Sequence, residues 1–177
     1  MFHRSQRLLL RPPWPEDWNQ VLGGIADEGV VRNLARAPWP YRPEDARDFV
    51  SRVVEPRFPR FLIARADDAA LIGCIGIDPA GRDVELGYWI ARDHWGQGYA
   101  TEAGRAVLGI ARMLGHCKIV ASHFLDNPAS GRVLRKLGFA ATGTIRPRHS
   151  CGRGGKALAA EYALEMACEE EPGMRAA

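Results

Sequence analysis

The chain has 177 residues, of which 46% are apolar and 25% charged, and its formal net charge is +3. These values are typical of one globular domain with a sizeable core, and so small a charge argues against a nucleic-acid-binding protein. No apolar run reaches membrane-spanning length, and the first residues lack the apolar core of a signal peptide, so we expect a cytoplasmic protein without a membrane partner. Four widely spaced cysteines without a CxxC pair are expected to be free thiols.

The first half of the chain predicts one strand, two helices and three strands. The strand, Gln6 to Arg11, stops at a pair of prolines. Segments 15–27 and 43–54 both open with proline and acidic residues, which is typical of helix N-termini. Segment 60–77 predicts two strands around a turn at Asp67 and Asp68, and segment 84–91 predicts a third that is rich in β-forming residues.

The second half predicts a helix from about Tyr99 to Leu114, a strand over 117–124, and a short helix that Asn127 caps and Gly138 ends. A strand over 139–147 follows. Segment 157–167 has a helical composition, but its position after a glycine-rich turn favours a last antiparallel strand. The order predicts one α/β (α+β) domain over 1–177, with a core of about 6–166 and a loose tail at 168–177. Its mixed sheet has about seven strands and about four helices.

A glycine pair, Gly96 and Gly98, separates the third of these strands from the following helix. Unpaired N–H groups at a helix N-terminus after such a turn can bind a pyrophosphate, although the turn could also be purely structural. A Walker loop would need a lysine that is absent here. A dinucleotide fingerprint would need Gly or Ala at Thr101, which argues against a nucleotide-dependent oxidoreductase.

Three stretches, "RLLLRP", "ELGYWIARDHWGQGYATEA" and "DNPASGRVLRKLGF", together resemble the GNAT superfamily of N-acetyltransferases, more closely its RimJ/RimL-type branch of ribosomal-protein N-terminal acetyltransferases. The resemblance runs from about Gln6 to Met166. It implies a mostly antiparallel sheet that is splayed in the middle, and acetyl-CoA as cofactor. It also implies direct transfer, in a ternary complex, to the amine of a protein N-terminus or of a small molecule. The monomer and the homodimer stay open, as does a non-catalytic acyl-CoA-binding sensor.

The resemblance also implies how the cofactor is bound. The backbone of the glycine loop would hold the pyrophosphate, with Trp95 standing where the family has Gln or Arg. The free strand edge at Ile90 and Arg92 would pair with pantetheine, and a backbone N–H near Ile90 would stabilise the oxyanion. The cofactor-binding residues expected are Trp89, Ile90, Ala91, Arg92, Gln97, Gly98, Tyr99, Ala100, Thr101, Asn127 and Ser130.

Acetyl transfer to an amine requires a base, and Glu85 is the candidate. It shares one strand face with Gly87 and Trp89, and a carboxylate among apolar strand residues is uncommon without a function or a partner. The alternative is a structural salt bridge to Arg65 or Arg82.

The leaving thiolate benefits from an acid. Many family members place a tyrosine five residues before the phenylalanine of the "GF" pair, but that position is Leu134 here. The resembled branch offers Ser130 instead. The alternative is that Asn127 and Ser130 serve only the helix N-terminus, and that water protonates the thiolate.

The acceptor pocket is expected between the first two helices. Arg32, Asn33, Trp39 and Tyr41 belong to that connection, and Tyr88 lies nearby on the strand. The aromatic residues could line an apolar slot with a polar rim, or Trp39 could simply pack the loop onto the core. The five histidines show no metal-ligand spacing, so no metal is predicted.

Overall fold

Residues 1–167 form one eight-stranded sheet with helices on both faces. The computed structural model describes residues 1–167. The strands are β1 (His3–Arg4), β2 (Leu8–Arg11), β3 (Arg60–Arg65), β4 (Leu71–Ala80), β5 (Asp83–Ile90), β6 (Lys118–Phe124), β7 (Ala140–Ser150) and β8 (Gly155–Glu165). The helices are α1 (Trp18–Ile25), α2 (Glu28–Val31), α3 (Pro43–Ser51), α4 (Tyr99–Met113) and α5 (Pro128–Lys136).

The strand order across the sheet is β1-β2-β3-β4-β5-β6-β8-β7. Neighbouring strands are antiparallel except β5 and β6, which run parallel. The chain reaches β6 from β5 through α4, since parallel neighbours need a long crossover connection. The α/β class and the mostly antiparallel sheet expected from the sequence are confirmed.

Side-chain alternation along the strands gives the sheet two apolar faces. On β5, Leu86 and Ile90 pack into a core that includes residues of α4, Tyr99 among them. Trp89 packs on the opposite face with Cys74 and residues of α1 and α3. The core beneath α4 and α5 and the core beneath α1 to α3 therefore lie on opposite faces of the sheet, and β5 contributes side chains to both. Each large apolar side chain buried in this way contributes about 1.5–3 kcal/mol.

The structure confirms the strand predicted for the helix-like segment 157–167. This segment lies in β8, which pairs with β6 on one side and β7 on the other. The extended conformation also buries Ala159 and Tyr162, which stabilises it. Tertiary pairing thus overrides helix propensity. The short elements β1 and α2 were not predicted, and the tail expected at 168–177 lies outside the described residues.

The free-thiol expectation holds in part. Cys74 and Cys151 are free. Cys117 is disulfide-bonded, so the expectation is wrong at that position. Cys168 lies outside the described residues. Within residues 1–167, no helix is long and apolar enough to cross a membrane.

Gly73 permits the close approach of β4 to β5 in the middle of the sheet. A Cβ built on Gly73 would lie 2.3 Å from the backbone oxygen of Trp89. Backbone cannot move away as a flexible side chain can. A glycine is therefore required at this position.

We expect Gly73→Ala to lower the free energy of unfolding by about 1–3 kcal/mol or more, because the added methyl overpacks the β4–β5 contact. Gly109→Ala is the matched control. Its Cβ meets nothing within 4 Å on α4, and alanine in a helix should add about 0.5–1 kcal/mol. Denaturant unfolding measures both, and equal effects of the two substitutions would contradict the close approach.

Candidate active site

The strands β5 and β6 separate soon after they meet. Their pairing is confined to Val84 with Ile119 and Glu85 with Val120, although β5 continues to Ile90. The splayed sheet that the resemblance implied is therefore present. We call the opening between β5 and β6 beyond Glu85 the sheet gap.

The edge of β5 presents backbone groups to the sheet gap. Ala91 N–H donates to the Ile72 oxygen at 2.8 Å, which directs the backbone of Ala91 toward β4. Because orientation alternates along an antiparallel strand, the N–H and C=O groups of Tyr88 and Ile90 point the other way. The Ile90 carbonyl accepts a hydrogen bond of 2.6 Å from the indole Nε1 of Trp95, so the side chain that replaces Gln or Arg ties the loop to the strand end.

The glycine loop adopts a conformation that only glycine takes without strain. Gly96 and Gly98 have φ values of +74° and +83°. Gly98 is the N-cap of α4 and provides no side-chain cap. The first N–H groups of α4, over 99–101, therefore have no intrahelical partner and can bind an anion.

Arg7 of the segment before β2 supports this loop, a role that sequence reasoning missed. Its Nε donates to Glu102 Oε2 at 2.8 Å, and its Nη1 donates to the Gln97 carbonyl at 3.1 Å. The guanidinium lies 4.6 Å from the centre of the Tyr99 ring. Arg7 thus holds the N-terminus of α4 against β2 and brings a positive charge beside the loop.

A cavity of about 840 Å³ is lined by residues from both sides of β5. From the expected set it is lined by Glu85, Tyr88, Trp89, Ile90, Gly98, Tyr99, Ala100, Thr101, Asn127, Ser130, Asn33 and Tyr41. The expected residues outside this lining are Ala91, Arg92, Gln97, Arg32 and Trp39. The structure thus places the glycine loop, the sheet gap and the candidate base around one space.

Two expected cofactor residues are placed differently from the others. Arg92 lies in a single 3-10 turn after β5, and its side chain pairs with Asp27 at 3.2 Å. Trp89 directs its side chain to the α1–α3 face, away from the glycine loop. The strand edge that faces the sheet gap therefore ends at Ile90.

Glu85 has an ion-pair partner that differs from the two proposed from the sequence. Its Oε2 accepts a hydrogen bond of 2.7 Å from Arg148 Nη2, its Oε1 accepts another from Nη1, and Ser122 Oγ lies 3.4 Å from Oε1. The expected partner Arg65 instead pairs with Asp67. The hydrogen bonds to Glu85 raise the pKa of Arg148 above its usual value. Arg148 was missed because it lies 63 residues further along the chain.

Tyr88 and Ser130 meet across the sheet gap. The Tyr88 hydroxyl lies 2.8 Å from Ser130 Oγ. Burial raises the pKa of Tyr88 to about 12, although the hydrogen bond with Ser130 opposes this shift. Asn127 caps α5 by accepting a bond of 3.3 Å from the Ser130 N–H. Tyr88, expected in the acceptor pocket, therefore adjoins the candidate proton donor.

The remaining acceptor residues divide into two groups. Tyr41 is buried, and its hydroxyl donates to the Asp45 carbonyl at 3.2 Å. Asn33 Nδ2 donates to the Gly29 carbonyl at 2.7 Å. Arg32 pairs with Asp126 at 2.9 Å, and Trp39 is 42% exposed. Asn33 and Tyr41 thus line the cavity from the α1–α3 side, while Arg32 and Trp39 do not.

Sequence comparison agrees with this geometry. Residues 7–140 match the model of the acetyltransferase (GNAT) domain. An uncharacterized N-acetyltransferase of Bacillus subtilis, YoaA, is 38% identical over 149 residues, which cover 80% of this chain and 84% of that protein. The ribosomal-protein-serine acetyltransferase of Escherichia coli is 32% identical over 90 residues, 49% of each chain.

Solved structures share the fold. A GNAT-family acetyltransferase from Bacillus anthracis superposes with a TM-score of 0.81 at 24% identity, covering 93% of this chain and 98% of that one. RimL, a ribosomal L7/L12 α-N-protein acetyltransferase in complex with coenzyme A, superposes with a TM-score of 0.77 at 18% identity, covering 96% and 100%.

The family match spans most of the chain, and the chain therefore belongs to the acetyltransferase (GNAT) family. The expected family and the expected class of enzyme, an N-acetyltransferase, are confirmed. Acetyl-CoA, the expected cofactor, is the co-substrate of this family.

Because the pKa of Tyr88 is raised in the folded protein, the free energy of unfolding changes with pH in the alkaline range. An unfolded tyrosine ionises near pH 10, whereas Tyr88 in the folded protein keeps its proton to about pH 12. Between these values the unfolded state releases a proton that the folded state retains, so the free energy of unfolding falls as pH rises.

We expect Tyr88→Phe to weaken this alkaline loss by up to about 1.4 kcal/mol per pH unit above pH 10. Denaturant unfolding at a series of pH values measures it. The difference in stability between the two proteins should stay constant below about pH 9, where neither tyrosine form titrates. Parallel profiles up to pH 11 would contradict the assignment.

Proposed function

We propose that this chain transfers the acetyl group of acetyl-CoA directly to a primary amine, of a protein N-terminus or of a small molecule, while both substrates are bound. The observation that carries the proposal is the sheet gap. A single cavity extends from the N-terminus of α4 past the free edge of β5 to Glu85. Donor and acceptor can therefore meet there from opposite faces of the sheet.

The residues present fit the donor. The left-handed Gly98 and the free N–H groups over 99–101 suit a pyrophosphate, with the charge of Arg7 nearby. The backbone of Tyr88 and Ile90 suits an extended amide chain by strand addition. The Ile90 carbonyl already accepts a hydrogen bond from the Trp95 indole. The Ile90 N–H is therefore the group that we assign as the hydrogen-bond donor to the thioester oxygen. Asn127 lies at the end of α5 nearest the reacting group.

On the acceptor side, Glu85 is the proposed proton acceptor. Acetyl-CoA supplies the activated acetyl group as a thioester, and the attacking amine must lose a proton. Glu85 faces the α1–α3 side, within the cavity. Its carboxylate can attract the ammonium form and take the proton directly or through a water. Arg148 fixes the orientation of the carboxylate through the two bonds that it donates.

On the donor side, Ser130 is the proposed proton donor to the leaving sulfur. Ser130 lines the cavity, and its hydroxyl is hydrogen-bonded to the Tyr88 hydroxyl at 2.8 Å. Leu134, at the position where many relatives carry a tyrosine, is 1% exposed and packs in the core. A tyrosine hydroxyl is nevertheless present beside Ser130, but it comes from Tyr88 on β5 and not from the Leu134 position on α5.

The test combines acetyl-CoA with peptides that have free N-termini, amino acids, polyamines and aminoglycosides, and follows thiol release. Calorimetry with coenzyme A alone is run in parallel. Turnover with one class identifies the acceptor. Binding without turnover across the panel would favour the non-catalytic acyl-CoA sensor, and no binding would contradict the assignment of the glycine loop.

We expect Glu85→Gln to lower kcat/KM by about 10²-fold or more, the usual contribution of a general base, with unchanged affinity for coenzyme A. Asp83→Asn is the matched control, since Asp83 lies on the same strand and pairs with Lys118. Arg148→Gln separates the roles of the pair. It should lower the rate less than Glu85→Gln does, because the base remains and only its fixed orientation is lost. An unchanged rate in Glu85→Gln would contradict the assignment of Glu85 as the base.

We expect Ser130→Ala to lower kcat by about 10²-fold with little change in coenzyme A affinity, because a positioned proton donor is lost. Tyr88→Phe should lower kcat as well. Because the two hydroxyls act through one hydrogen bond, the double variant should lose little more than the worse single variant. Steady-state kinetics of the unmodified protein, the two single variants and the double variant measures this. If the kcat losses of the single variants multiplied in the double variant, the two residues would act independently.

A further inference from the structure

The helix α5 presents one continuous stripe of side chains to the cavity. The α5 residues that line it are Ala129, Ser130, Arg132, Val133, Leu134 and Lys136. Within this set, Ala129, Arg132, Val133 and Lys136 have the i, i+3, i+4, i+7 spacing of one helix face, and we call these four the stripe. The neighbouring face, with Gly131 and Leu134, is buried against the sheet. The orientation of the stripe is therefore set by the packing of α5.

Apolar and cationic side chains alternate along the stripe. Its start adjoins Ser130, the proposed proton donor, and the order from there is Ala129, Arg132, Val133 and Lys136. At 1.5 Å per residue, Lys136 lies about 9 Å further along the helix axis than Ser130. An extended donor with its sulfur near Ser130 that follows α5 would therefore pass Arg132 first and Lys136 further along.

Both cations of the stripe lack a partner in the part of the chain that the structure describes. Arg132 and Lys136 make no ion pair or hydrogen bond within residues 1–167. Like charges four residues apart on a helix disfavour each other. The arrangement therefore costs stability in the free protein and is relieved when an anion binds between the two groups.

The partial negative charge at the C-terminus of α5 does not by itself explain the position of Arg132 and Lys136. Cations are favourable in the last turn of a helix, where carbonyls carry partial negative charge. Arg135 also lies in that last turn, but its Nη1 donates to the Tyr162 hydroxyl at 3.2 Å and it does not line the cavity. Arg132 precedes the last turn and faces the cavity.

We propose that Arg132 and Lys136 bind the 3′-phosphate of the acetyl donor, and so make this chain selective for thioesters of coenzyme A over those of its 3′-dephospho form. The inference rests on the proposed donor. The N-terminus of α4 and Arg7 provide for the pyrophosphate, which leaves the 3′-phosphate as the remaining dianion of the donor. Guanidinium and ammonium groups bind phosphate through charge-assisted hydrogen bonds.

Calorimetry with coenzyme A and with 3′-dephospho-coenzyme A tests the proposal without turnover. The unmodified protein should bind coenzyme A at least roughly tenfold more tightly. Arg132→Gln/Lys136→Gln should remove this preference by weakening coenzyme A alone, and added salt should reduce the preference in the unmodified protein. Lys136→Gln alone should show a partial loss.

Arg135→Gln is the matched control, because it removes the same charge from the same last turn without facing the cavity. It should leave the preference intact, and unfolding midpoints of all variants should be compared. Equal weakening of both ligands in the double variant, or an unchanged preference, would overturn the proposal. Failure of the unmodified protein to bind either ligand would instead overturn the donor assignment, and this inference with it.

Discussion

The separation of β5 from β6 is the constraint on which the rest of the site depends. The two strands share two residue pairs, Val84 with Ile119 and Glu85 with Val120, and then leave the backbone of β5 without a strand partner on that side. Unpaired backbone groups are costly when buried, so the protein retains an edge that a ligand can satisfy. The same opening connects the two sheet faces, which otherwise have separate cores.

Interactions around the opening hold it in place before any substrate binds. Trp95 attaches the glycine loop to the end of β5, and Arg7 attaches the start of α4 to the segment before β2. Tyr88 and Ser130 link β5 to α5 across the gap itself. Preorganisation of this kind lowers the ordering cost of binding, because the loop and both strands are already placed.

Charged side chains lie around the cavity on both sides of β5. Arg7, Arg132 and Lys136 lie toward the α4/α5 side, where an anionic donor would enter. Glu85 lies toward the α1–α3 side, where an amine would enter, and Arg148 compensates its charge without removing it from the cavity. Near α3 the cavity is also lined by Asp45, Asp48, Arg52 and Arg60, so both signs of charge are present on that side.

The sequence alone determined the local features: the glycine loop, the Asn127 cap and the two faces of β5, since each depends on residues close together in the chain. The resemblance supplied the splayed sheet and the choice of Glu85 and Ser130 as candidates. Only the tertiary structure decided the partners of these residues. Arg148 reaches Glu85, and Tyr88 reaches Ser130, across long sequence separations. No local pattern encodes such contacts, because packing of the whole sheet and its helices sets them.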